Sequence, residues 1–301
     1  MTHDTGPATA YLREGAMMGG KILRMKRFRN SPSGRMVILP LDHGVSLGPI
    51  AGLEYPEKTI RMGIREGADA LVLYKGMLKF LTEPDGKLPG IFMHLSAASQ
   101  LGPAPHHKVL IGSVEEALRY GADGVSLHIN LGNPDELNML QNLGIIGEAC
   151  TVWQVPLLVM IYARNGDGAS SSDAAIAHAA RVAAELGADL IKIAMPEDFS
   201  VLKQITASLP VPVVVAGGSR IAETSVLLER VERALEAGAG GVAIGRNIFQ
   251  SRQPERLLWA ICGMVHRGLS AGRSWDEASK GERPGRRHPA GNHDCQGGGM
   301  R

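Results

Sequence analysis

A degenerate repeat constrains this chain more than any other feature. It reads Glu66-Gly67-Ala68-Asp69-Ala70-Leu71-Val72-Leu73, then Tyr120-Gly121-Ala122-Asp123-Gly124-Val125-Ser126-Leu127, and then Leu186-Gly187-Ala188-Asp189-Leu190-Ile191-Lys192-Ile193. The last copy is Ala237-Gly238-Ala239-Gly240-Gly241-Val242-Ala243-Ile244. Each copy closes a helical pattern and opens an apolar, β-rich run, with glycine ending the helix and the strand starting just after it. Further apolar runs lie between the copies, at 36–43, 90–97, 156–163 and 211–218, and helical stretches are legible at 56–66, 113–120, 172–186, 199–208 and 223–237. Ser113-Val114-Glu115-Glu116 has the form of a capping box at one helix start.

Alternating strands and helices, with strands apolar on both faces, predict a parallel sheet covered by helices. Regular spacing predicts that it closes as a single (β/α)8 barrel, the TIM-barrel architecture. A doubly wound open sheet is the competing fold, but no G-x-G-x-x-G follows the first strand. The expected layout is an N-terminal extension over 1–35 with a short helix around 11–28, a barrel over 36–268 and a flexible tail over 269–301, disordered from about 281.

Composition narrows the function classes. The net charge of +2 and the 4% of aromatics give no signature of nucleic acid or a membrane surface. Cys150, Cys262 and Cys295 form no C-x-x-C pair, so neither a disulfide framework nor a thiolate zinc site is expected. Met1-Thr2-His3-Asp4 opens no signal peptide and no apolar run reaches membrane-spanning length, so a soluble cytoplasmic protein is expected.

In a barrel of this kind the chemistry sits at the C-terminal ends of the strands. Polar residues gather there: Asp42, His43 and the loop Gly44-Val45-Ser46 after the first strand, then Lys75, His94, His128, Tyr162 with Ala163 and Arg164, Lys192, Gly217-Gly218, and Gly245-Arg246. Lys192 stands out, in the apolar run Leu190-Ile191-Lys192-Ile193-Ala194-Met195. Burial disfavours an ammonium and favours the free amine, which is what a Schiff-base nucleophile needs. Tyr162 suits acid–base work beside an iminium, and Asp42 suits proton transfer at a carbinolamine or hydroxyl, unless it merely pairs with Lys75 or Lys192. The glycines after the last two strands, with Arg246, suit a phosphate cradle. Lys75 is the rival nucleophile, ranked lower because it lies at a more hydrated strand end, and His43 and His128 could bond substrate hydroxyls. His43, His94 and His128 also admit a zinc site, although no H-x-x-H or H-E-x-x-H spacing supports one.

From about Arg24 to Arg267 these residues, in this order, resemble the class I aldolases of the archaeal-type fructose-bisphosphate aldolase family. The most distinctive segments are Val37-Ile38-Leu39-Pro40-Leu41-Asp42-His43-Gly44-Val45, His94-Leu95-Ser96, Ser126-Leu127-His128-Ile129-Asn130-Leu131-Gly132, Pro212-Val213-Val214-Val215-Ala216-Gly217-Gly218 and Gly245-Arg246-Asn247-Ile248-Phe249-Gln250. Within the family the chain is most similar to two biosynthetic branches. One is the 2-amino-3,7-dideoxy-D-threo-hept-6-ulosonate synthases. The other comprises actinobacterial aldolases that join dihydroxyacetone phosphate to aspartate semialdehyde on the way to 3-amino-4-hydroxybenzoate.

The resemblance implies a Schiff base on Lys192, a proton donor at Tyr162, an acidic proton acceptor at Asp42, and phosphate contacts at Gly217, Gly218, Gly245 and Arg246. It also implies a phosphorylated ketose donor, a small aldehyde acceptor, no metal or other cofactor, and a ring-type homo-oligomer of up to a decamer. Two departures stand out: Ala163 where the family has proline in Met-Tyr-Pro-Arg-Gly, and Ile193 where it has threonine after the lysine. Fructose-bisphosphate cleavage, a metal-dependent aldolase or isomerase on the same barrel, and a non-catalytic sugar-phosphate sensor are the alternatives.

Overall fold

The computed structural model describes residues 19–29, 31–81, 88–164 and 172–280. In chain order it runs α1 (Gly19–Phe28), β1 (Met36–Pro40), α2 (Gly44–Leu47), α3 (Pro56–Arg65), β2 (Ala70–Leu73), β3 (Gly90–His94), β4 (Ser96–Ala97) and β5 (Val109–Leu110). It continues α4 (Val114–Arg119), β6 (Gly124–Leu131), α5 (Glu136–Val152), β7 (Leu157–Ala163), α6 (Asp173–Glu185), β8 (Leu190–Ala194), α7 (Phe199–Ser208), β9 (Val213–Ala216) and α8 (Thr224–Glu236). Last come β10 (Gly241–Ala243), α9 (Arg246–Phe249), α10 (Pro254–Arg267) and α11 (Ala271–Lys280). Eight strands close into the expected barrel in the order β1-β2-β3-β6-β7-β8-β9-β10, every pairing between them parallel. The four repeats start β2, β6, β8 and β10, which are alternate strands of the ring.

The repeat's aspartate holds the closed, N-terminal end of the barrel together. Asp69, Asp123 and Asp189 each accept a backbone N–H across the sheet, from Val37 (2.7 Å), Ile91 (2.9 Å) and Leu157 (2.9 Å). Arg27 pairs with Asp123 at 2.9 Å and Lys21 with Asp189 at 2.7 Å, both cations reaching in from α1. The fourth copy has Gly240 in the aspartate's place, followed by Gly241 at φ +139°. A side chain at Gly241 would collide with the Met36 carbonyl, so the β10–β1 seam is closed by backbone alone.

Alternation sends one set of side chains into the barrel and the other toward the helices. Met36, Ile38, Val72, Phe92, Leu158, Met160, Leu190 and Val214 fill the interior, joined by Met25 and Phe28 from α1. Phe28 stacks on Phe92 with ring centroids 3.9 Å apart, in space that Gly90 leaves open. α1 therefore plugs the closed end, which leaves the C-terminal mouth as the open one.

Part of the tail expected over 269–301 is helical and packed. α11 packs on α10: Ser274 donates to the Ala260 carbonyl at 2.6 Å, and the Arg256 guanidinium lies 3.7 Å from the Trp275 ring centre. Residues 281–301, Cys295 among them, and the first part of the expected helix over 11–28 lie outside the described residues. Cys150 is buried and unpaired, and Cys262 is unpaired as well. Among the described residues no helix is long and apolar enough to cross a membrane.

Candidate active site

A cavity of about 920 Å³ opens at the C-terminal ends of the strands. Lys192 lies at its floor, 7% exposed, on the inward face of β8 that it shares with Leu190. The strand register sets it opposite Met160, and Met160 opposite His128. Its Nζ lies 3.9 Å from the Met160 sulfur, a weak acceptor. Tyr162 is two residues further along β7 and so faces the same cavity, nearer the mouth. Its ring lies 5.0 Å from that of His128, and the Arg164 guanidinium 5.3 Å from the Tyr162 ring centre.

Asp42 follows β1 into the cavity. Its carboxylate lies 3.8 Å from His94 Nε2 and 3.7 Å from His43 Nδ1. Burial opposes its ionisation, yet its pKa is brought down to about 2 because His94, His43 and the Lys192 ammonium all converge on it. Burial pushes the three histidines the other way: His94 falls to about 4, His128 goes well below its usual value, and His43 is lowered too. At neutral pH the floor therefore holds a carboxylate among neutral imidazoles. His94 Nδ1 is fixed on Ser126 Oγ at 2.8 Å, and His128 Nε2 on Asn130 Oδ1 at 3.1 Å.

A second cluster sits where β9 and β10 end. Asn247 donates to the carbonyls of Gly217 (2.8 Å) and Ser219 (3.0 Å) and accepts from the Ile221 N–H (2.7 Å), fixing the turn after β9. Arg246 donates to the Gly218 carbonyl at 3.1 Å. Gly218 has φ +69°, and a side chain at Gly217 would strike Ile244 and Asn247. Backbone and a guanidinium thus line this end of the cavity.

Similarity to known proteins agrees with this geometry. Residues 36–251 match the DeoC/LacD family aldolases. The chain belongs to that family. It is 38% identical over 251 residues to the 2-amino-4,5-dihydroxy-6-oxo-7-(phosphonooxy)heptanoate synthase of Streptomyces griseus, covering 83% of this chain and 92% of that one. It is 39% identical over 252 residues, with the same coverage, to a 2-amino-3,7-dideoxy-D-threo-hept-6-ulosonate synthase of Archaeoglobus fulgidus. A solved archaeal fructose-1,6-bisphosphate aldolase, with its catalytic lysine covalently bound to the carbinolamine intermediate, superposes with a TM-score of 0.73 at 29% identity, covering 82% of this chain and 98% of that one. This DeoC/LacD aldolase is an enzyme of the class I, Schiff-base type.

Most of the site expected from sequence meets in one cavity: Asp42, His43, Ser46, His128, Tyr162, Ala163, Arg164, Lys192, Gly217, Gly218, Gly245 and Arg246 all line it. Four expected residues, Gly44, Val45, Lys75 and His94, do not. Gly44 and Val45 turn outward at the start of α2, where Val45 is 43% exposed. Lys75 is drawn away by Glu116 at 2.9 Å and by the Ile111 carbonyl at 2.9 Å, and does not line the cavity. The same pair halves the capping box: Ser113 accepts from the Glu116 N–H at 3.2 Å, while the Glu116 carboxylate turns to Lys75. Among the described residues no three His, Cys, Asp or Glu side chains are grouped to hold a metal ion. His94 acts here as a partner of Asp42 and Ser126.

Sequence reasoning missed Lys108, a cavity residue only 7% exposed, and gave no role to Asn247, which fixes the turn after β9. Lys108 lies in an irregular stretch where no periodicity marks the inward direction. Asn247 stands in the distinctive Gly245–Gln250 segment, but its partners Gly217, Ser219 and Ile221 are 26 to 30 residues away along the chain.

Proposed function

We propose that this aldolase joins a dihydroxyacetone-phosphate-type donor to aspartate semialdehyde in the synthesis of an aminobenzoate or aromatic amino acid precursor. The placement of Lys192 carries the reading: a buried amine on the cavity floor, beside an ionised Asp42 and one strand from Tyr162. In the proposed reaction the Lys192 amine adds to the donor ketone. Asp42 relays protons so that the resulting carbinolamine loses water and becomes an iminium. Tyr162 takes a proton from the adjacent donor carbon, and the iminium nitrogen accepts the electron pair to give an enamine. The enamine carbon attacks the aldehyde, and Tyr162 returns the proton to the new alkoxide. Water then releases the product and restores the amine. The product has the summed composition of donor and acceptor, with the ketone oxygen lost as water at the iminium and replaced from water at release, and in this reading neither metal nor cofactor takes part.

The backbone of Gly217, Gly218 and Gly245, with Arg246, would hold the donor phosphate, so that remote binding energy orients the reacting carbons. His43, Ser46, Ala163, Arg164 and His128 would contact the rest of the substrates. The Streptomyces griseus relative supports the substrate pair. Its name describes a seven-carbon chain with an amino acid at one end and a phosphate at the other, which is three carbons of donor plus four of acceptor. A cytoplasmic location and a ring-type homo-oligomer, up to a decamer, complete the proposal. Leu137, Ile145 and Val152, exposed along α5, support an interface between copies.

Mass spectrometry of a mixture of enzyme, dihydroxyacetone phosphate and aspartate semialdehyde tests the substrates. The expected result is a species whose mass is the sum of the two. Cleavage of fructose 1,6-bisphosphate without that product would favour the second reading, which the archaeal structure supports.

A further inference from the structure

The cavity has two cationic ends, and only one of them is explained by a donor phosphate. The other is built by Lys108, between β4 and β5, and Arg164, just after β7. Lys108 is 7% exposed, and its ammonium meets the Ser46 hydroxyl at 3.4 Å. Arg164 Nε donates to Asn130 Oδ1 at 3.2 Å, and Asn130 is anchored by donating to the His106 carbonyl at 2.8 Å. Among the described residues neither cation has a carboxylate within ion-pair distance. They are close enough to repel: burial lowers the Lys108 pKa, Asp42 opposes this, and Arg164 adds to it. Among the described residues Asp42 is the carboxylate that acts on Lys108, and it does so without an ion pair, so two cations on one cavity wall cost stability that an anionic ligand there would offset.

Their position suits a second substrate. The segment that carries Lys108 follows β3, and β3 is the fourth neighbour of β9 counted either way around the ring. The cradle after β9 and the Lys108 end are therefore on opposite sides of the mouth, with Lys192 on β8 and Tyr162 on β7 between them. A donor tethered by its phosphate at the cradle and by its carbonyl carbon at Lys192 leaves the Lys108 end to the acceptor. We propose that Lys108, with Arg164, forms an anion subsite for the acceptor aldehyde, so that the enzyme selects acceptors with an anionic terminus over neutral ones. The inference rests on the reading that Lys192 carries the donor. The shared chemistry is a terminal anion, which aspartate semialdehyde supplies as a carboxylate and glyceraldehyde 3-phosphate as a phosphate.

The test is steady-state kinetics of the full chain with dihydroxyacetone phosphate and three acceptors: aspartate semialdehyde, glyceraldehyde 3-phosphate and neutral glyceraldehyde. Lys108→Met is expected to lower the ratio of kcat/KM for the preferred anionic acceptor to that for glyceraldehyde by about 10- to 100-fold, mainly through KM. Lys108→Arg is expected to recover most of that ratio, and whichever anionic acceptor loses more identifies the terminus the subsite takes. Arg164→Met is expected to lower the same ratio and decides the matter if Lys108→Met does not fold. An unchanged ratio, or an equal fall for all three acceptors, would overturn the subsite. Borohydride trapping of the donor alone separates the two claims. A Lys192 adduct with unchanged discrimination would sink only the subsite. No adduct in the unsubstituted enzyme would sink the Schiff-base reading and the subsite with it.

Discussion

The two ends of this barrel use the same residue types to opposite effect. At the closed end Asp123 and Asp189 are buried, accept a backbone N–H each, and meet Arg27 and Lys21 of α1. Burial raises the pKa of both. At the open end Asp42 meets imidazoles and the Lys192 ammonium instead, and falls to about 2. The closed end gives each buried polar group a fixed partner, so that removing one strands the other. The open end leaves a lysine, a tyrosine and a carboxylate facing a cavity and so retains reactivity. A barrel can tolerate that because interior layers such as Phe28 on Phe92 separate the two ends.

Substitutions at the two ends should therefore separate rate from stability. The largest expected effect is at the mouth. Tyr162→Phe removes the proposed proton carrier and is expected to lower kcat by about 10²- to 10⁴-fold. The ring still packs by His128, so the thermal midpoint should barely move. An unchanged kcat would remove Tyr162 from the chemistry. At the closed end Asp189→Asn breaks the buried pair with Lys21 and is expected to cost about 3 kcal/mol in urea unfolding. The kcat per folded molecule should hold, and a fall in kcat at unchanged stability would break the division between the ends.

The smallest effect is a pH slope. The folded protein holds His94 at about 4, so it refuses a proton that the unfolded chain accepts from about pH 6.5. The stability tied to His94 is therefore present above pH 6.5 and lost as pH falls toward 4, at about 1.4 kcal/mol per unit. His94→Gln should flatten the urea stability profile across that window by about one proton. Equal slopes in both proteins would show that His94 does not set the acid limit. Asp42, held at about 2, adds its own loss only below about pH 4.

The sequence revealed the barrel because its repeat marks alternate strand starts, and helix-ending glycines are local signals. It revealed Lys192 because a charge inside Leu190-Ile191-Lys192-Ile193 breaks an apolar run. What the aspartate in the repeat does was not legible, since its bonds reach β1, β3 and β7, far away along the chain. Lys75 and Lys108 show the same limit from both sides. Each is a lysine beyond a strand, and the placement of Glu116 and the Ile111 carbonyl takes one out of the cavity while the other stays in it. α11 falls within the expected tail because its anchors, Ser274 and Trp275, are side chains whose partners lie on α10.

The central claim is that Lys192 forms the covalent bond to the donor. Borohydride reduction in the presence of dihydroxyacetone phosphate, followed by peptide mapping, tests it directly. The account predicts a stable adduct confined to Lys192 and absent from a folded, inactive Lys192→Ala variant. An adduct on another lysine, or full turnover by Lys192→Ala, would contradict it.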